Sequence, residues 1–129
     1  INYVAETDKT GGTSIAKHIT RPIVLNTNAV GLKIILSANR PSVADFKLYY
    51  KVLSDDAQFE DVAWNLIAPE AVLPSDENRN VFRDYEFLVG GKGGLVSSFT
   101  KFQLKLVMRS QSNAKPPRFR DLRVIALVV

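Results

Sequence analysis

The sequence predicts an all-β domain built as an antiparallel β-sandwich, with a jelly-roll or related Greek-key order. Three observations carry that expectation. From Thr100 to Arg109, Phe102, Leu104, Leu106 and Met108 alternate with Lys101, Gln103, Lys105 and Arg109. This is the two-residue repeat of a strand with one dry face and one wet face, broken only by the apolar Val107. From Asp45 to Leu53 the same repeat sets Phe46, Leu48, Tyr50 and Val52 against Lys47, Tyr49 and Lys51. No segment carries a convincing helical pattern, and a strand is not stable alone, so the other alternating segments must supply a partner sheet.

Taken in order, residues 1–14 are polar and without periodicity, and read as an N-terminal arm or linker, leaving residues 15–129 as a single sandwich domain. Ile15, Lys17 and Ile19 open an alternation that runs on through Ile23, Val24 and Leu25. Pro22 has no N–H to donate, so this strand should lie at an edge or bend there. Leu32, Ile34 and Leu36 alternate with Lys33, Ile35 and Ser37, and Asn39-Arg40-Pro41-Ser42 closes that strand. After Leu53 comes an acidic run, then Ala63 to Ile67, a short strand holding the only tryptophan, Trp64, read as a core plug. Residues 68–80 form a long connection. Phe82, Tyr85 and Phe87 mark the next strand, and Gly90-Gly91-Lys92-Gly93-Gly94 reads as a hairpin loop leading into Thr100 to Arg109. Arg118 to Val129 is apolar on both sides, which places it inside its sheet or under another part of a parent protein. The count is about seven strands.

A chain of 129 residues and 14.3 kDa is long enough to bury a core without staples, and it has no cysteine, which excludes thiol catalysis, zinc–thiolate sites and disulfides together. No apolar run reaches the roughly 20 residues that a bilayer-crossing helix needs, so membrane insertion is not expected. A chain opening on Ile1 reads as a processed product or a domain cut from a longer protein, the second being preferred. The net charge of +4 is spread over 17 basic and 13 acidic residues, and lysines on a strand's wet face discourage edge-to-edge aggregation.

The chemistry-bearing residues do not assemble into a catalytic set. His18 is the only histidine, so neither a Ser-His-Asp arrangement nor a histidine-rich metal site is available within the chain. Asp55, Asp56, Glu60 and Asp61 lack the order of a calcium loop. The Gly90–Gly94 run is not followed by Ser or Thr at a helix start, as a phosphate cradle requires. Asp84 and Glu86 share a strand face but with neighbours that suggest water. No catalytic residue, metal ligand or cofactor is therefore expected, and the chain is not read as an enzyme. Lys47, Lys51, Lys101 and Lys105, with Tyr49, would form a basic and aromatic face if their two strands adjoin. With Phe59 they are the candidate ligand or partner face. A nucleic-acid partner is not expected, because no reading motif accompanies the charges.

Four segments carry a family resemblance: Ala16 to Leu25, Leu48 to Leu53, Phe102 to Met108, and Pro117 to Leu127 with its Pro-Arg-x-x-Asp-Leu-Arg opening. In these the sequence resembles a domain of virion structural proteins, found in the baseplate, tail or fibre of T4-like and marine tailed bacteriophages. The resemblance implies a non-enzymatic building block that packs against other virion proteins or copies of itself. It also implies assembly in the host cytoplasm and a final location in the virion. The last strand also resembles those of galactose-binding-like jelly rolls, whose relatives hold glycans at one end. A carbohydrate-binding or host-recognition module is therefore the alternative, with Tyr49 and Phe59 as its candidate platform, although no matching set of sugar-binding residues is present.

Overall fold

The computed structural model describes residues 7–9, 17–53, 58, 62–67, 74–78, 80–90, 98–110 and 117–127. Among these there are eight strands: β1 (Lys17–Ile19), β2 (Ile23–Ala29), β3 (Gly31–Asn39), β4 (Ala44–Leu53), β5 (Asn65–Leu66), β6 (Arg83–Val89), β7 (Phe99–Ser110) and β8 (Arg118–Leu127). They form two antiparallel sheets that pack on one another in the manner of a sandwich. The first has β7 at its centre, with β4 and then β5 on one side and β1 and β2 in succession on the other. The second has the order β6-β3-β8.

The alternation read from the sequence is what the sheets use. Phe46 and Leu48 of β4 and Phe102, Leu104 and Leu106 of β7 point inward with Leu32, Ile34, Leu36 and Ala38 of β3 and Tyr85, Phe87 and Val89 of β6. Phe46 is the stitch between the layers. Its ring meets Tyr85, Phe87 and Phe119 of the opposite sheet edge-on, with centroids 5.3, 6.1 and 5.4 Å away. Such edge contacts add about 0.5–1.5 kcal/mol each beyond the area they bury.

Pro22 acts as expected. The first alternating segment lies on the edge of the five-stranded sheet and is broken into β1 and β2 at residues 20–22, which is why the strand count rises above seven. Thr20 bridges the break: its N–H donates to the Leu104 carbonyl at 2.9 Å, and its Oγ1 accepts from the Leu104 N–H at 3.0 Å.

Three expectations need correction. Among the described residues β8 is not inside its sheet: there it pairs with β3 alone and lies at an edge, with Ile125 49% exposed, and of the two expectations for this strand only the interior position is corrected. Its two-sided apolar pattern arises because Phe119, Leu122, Val124 and Ala126 pack on the core while Ile125 faces out. β6 and β7 belong to different sheets, so they are not the two arms of a hairpin; Gly91 to Gly94 of the glycine run lie outside the described residues. Gly90, directly after β6, has φ +75°, in the region only glycine enters without strain, and a Cβ there would strike the Val30 carbonyl. Of Ala63 to Ile67, only Asn65–Leu66 is strand.

Candidate functional site

β4 and β7 are neighbours, so the predicted juxtaposition of their lysines occurs. The register sets Lys47 opposite Val107, Tyr49 opposite Lys105, Lys51 opposite Gln103, and Leu53 opposite Lys101. These residues share the face of the five-stranded sheet that points away from the main core. That face is not wet at its centre. Tyr49, Lys51, Lys105 and Val107 are buried, Lys105 and Val107 completely, while Lys47 and Lys101 are half-buried at the two ends of the row.

The cover comes from elsewhere in the chain. Trp64, at the entrance to β5, packs with Tyr49 and Val107 as a second, smaller apolar cluster. It is therefore a plug, but for the outside of the sheet rather than for the main core. The Lys51 Nζ lies 4.6 Å from the Trp64 ring centroid, and the Lys105 Nζ lies 5.0 Å from Trp64 and 4.9 Å from Tyr49. A cation over an aromatic face is worth about 2 kcal/mol once water is removed, which offsets part of the cost of burying an ammonium group. Residues 7–9 reach this face. The Thr7 carbonyl accepts from the Trp64 backbone N–H at 2.9 Å, and the Lys9 carbonyl accepts from the Lys51 ammonium at 3.3 Å. At least that part of the predicted N-terminal arm is docked on the sheet.

The cluster was only half legible. Its signals were Val107, the apolar residue that broke the alternation, and the aromatic Tyr49 among lysines. Phe59 and the acidic residues Asp55, Asp56, Glu60 and Asp61 lie outside the described residues. His18 is exposed on β1, across from Leu106, and no group of three or more His, Asp or Glu side chains comes together among the described residues.

A second polar assembly was not foreseen. Asn39, read as part of a turn, is fully buried at the end of β3, and its Nδ2 donates to the carbonyls of Asn78 and Val81, both at 2.8 Å. Arg83 grips Asp76 through two parallel hydrogen bonds of 3.0 Å, and the Tyr85 hydroxyl donates to the Pro74 carbonyl at 2.7 Å. The Arg83 guanidinium holds the Asp76 carboxyl below the usual carboxylate range, while burial pushes the Tyr85 hydroxyl up. These contacts tie the described part of the long connection to the end of the sandwich, which is a structural task.

Comparison with protein-family models, with curated proteins and with solved structures returns no match. The geometry gives a two-layer body in which Tyr49, Lys51 and Lys105 of the candidate face are covered by the chain itself. Among the described residues no helix is long and apolar enough to cross a membrane.

Proposed function

We propose that the chain is a non-enzymatic structural and assembly module that works by packing against other proteins or copies of itself, in the setting the sequence resemblance implies: the tail, baseplate or fibre of a tailed bacteriophage. One observation carries the reading. The row of Tyr49, Lys51 and Lys105 that a ligand-binding module would expose is buried beneath Trp64 and residues 7–9. Its chemistry stabilises the fold. A sugar ring needs an aromatic face open to solvent, and Tyr49 is 1% exposed.

Strand order supports the finer reading of a jelly-roll, galactose-binding-like sandwich. The connections β2 to β3, β3 to β4, β5 to β6, β6 to β7 and β7 to β8 each pass from one sheet to the other, as they do in double-sheet Greek keys. The segments that carry the phage resemblance supply β1, the start of β2, most of β4, the middle of β7, and β8.

The test separates assembly from glycan recognition. The purified domain is screened on a glycan array, beside the variants Tyr49→Ala and Phe59→Ala, and electron microscopy locates the module in intact particles. Assembly predicts no glycan signal and density in contact with neighbouring virion proteins. Glycan binding that Phe59→Ala abolishes in a folded protein would replace this proposal with the lectin reading.

A further inference from the structure

The two edges of the three-stranded sheet differ in a way that selects a partner. β6 carries Asp84 and Glu86 on its outer face, charges of one sign. No two-fold pairing of β6 with a copy of itself sets opposite charges across from each other. β8 carries Asp121 and Arg123, both largely exposed, 3.4 Å apart on the same face. That pair is self-complementary. In an antiparallel pairing of β8 with the β8 of a second copy, centred on Leu122, each Asp121 stands directly opposite the other copy's Arg123. Opposite charges in directly facing positions stabilise a sheet, and like charges there destabilise it.

The backbone agrees with this register. The Leu127 carbonyl accepts from the Val30 N–H, so it points inward toward β3. Successive residues of a strand present their N–H and C=O groups to opposite sides. Leu122, Val124 and Ala126 therefore offer theirs to the open edge, where no strand among the described residues pairs with them. The remaining cations of the strand are drawn aside: the Arg118 and Arg120 guanidinium groups lie over the Phe82 ring, 5.9 and 4.7 Å from its centroid.

We infer that β8 is a homotypic docking edge through which two copies join their three-stranded sheets into one continuous sheet around a two-fold axis at Leu122. This rests on the assembly reading and names its partner as a second copy. The contact is isologous and closes on itself, giving a dimer and not a fibre. A bulge in the β3–β8 pairing at Ser37–Ala38 leaves Arg120 as the extra residue. The bulge ends regular pairing there, so the ladder is short, from Arg120 to Val124. Its area falls below the ~1,600 Å² of a standard interface. Association of the isolated domain is expected to be on the order of micromolar to millimolar, to be strengthened where a parent assembly holds copies together.

Sedimentation equilibrium over a concentration series tests it, with circular dichroism to verify the fold of each variant. The wild type should pass from monomer to dimer. Asp121→Arg, which sets Arg against Arg twice, should weaken the dimer at least tenfold, as should Arg123→Asp. The double variant D121R/R123D restores opposite charges in the same register and should recover the dimer. A wild type that stays monomeric to about 1 mM, a limit of roughly 4 kcal/mol, overturns the inference. So does a dimer indifferent to D121R, or a double variant no better than the singles. None of these results touches the assembly reading, which is decided by the glycan array and the particle density.

Discussion

Replacing Trp64 with leucine should unfold the outer cluster's energetics without altering the main core. The ring is 4% exposed and receives two ammonium groups, Lys51 at 4.6 Å and Lys105 at 5.0 Å. Two desolvated contacts of about 2 kcal/mol each set the scale, and the smaller side chain leaves part of the space empty. The expected loss is about 3–5 kcal/mol, a large fraction of the 5–15 kcal/mol that holds a typical domain together. A cycle with Lys105→Met isolates the ring–cation part, because methionine fills similar space without charge. Its coupling energy should be about 1–2 kcal/mol. Urea unfolding followed by far-ultraviolet circular dichroism is the assay for all four proteins, since the variant lacks the only tryptophan and fluorescence cannot follow it. A coupling below about 0.5 kcal/mol, the level at which independent sites add, would refute the claim that the lysines are held by the rings.

Phe46→Ala removes the ring that meets three aromatic neighbours across the layers and should cost about 3–5 kcal/mol by denaturant midpoint. Asn39→Ala leaves the Asn78 and Val81 carbonyls without their donor and should cost about 1–3 kcal/mol, with faster amide exchange in residues 76–81 as the local readout. Stability should fall at both pH extremes. The folded pKa of Asp76 lies below 3.8, so its contribution is present above that pH and is lost as pH falls through the folded value; Asp76→Asn should flatten this acid limb of the thermal midpoint profile. The folded pKa of Tyr85 lies above 10.0, so its contribution is full below pH 10.0 and is lost as pH rises through the folded value; Tyr85→Phe should flatten the alkaline limb.

Local alternation was enough to find the strands that matter most. Phe46, Leu48, Tyr50 and Val52, and Phe102, Leu104 and Leu106, take the inward side as their spacing requires, because a pleated strand has only two faces. Pro22 marked an edge because a missing N–H is a local property. The reading failed where the second face of a strand met something distant in sequence. Lys105 looks solvated beside its neighbours in the chain, and it is buried because Trp64 and residues 7–9 come to lie over β7 and β4. Asn39 looks like a turn residue, and it is a buried hub because the carbonyls it satisfies belong to residues 78 and 81.

The sequence by itself determined the all-β class, the inward faces of the long strands and the absence of cysteine chemistry. All of these follow from residue type and a period of two. Only the tertiary structure decided which strand is an edge, as for β8, and which polar face is covered, as for Tyr49, Lys51 and Lys105. The physical reason is that burial depends on what lies across a face. In this molecule the covering residues come from other segments of the chain: Lys9 meets Lys51 across 42 positions, and Trp64 reaches Lys105 on a strand that follows it, beyond the reach of any local pattern.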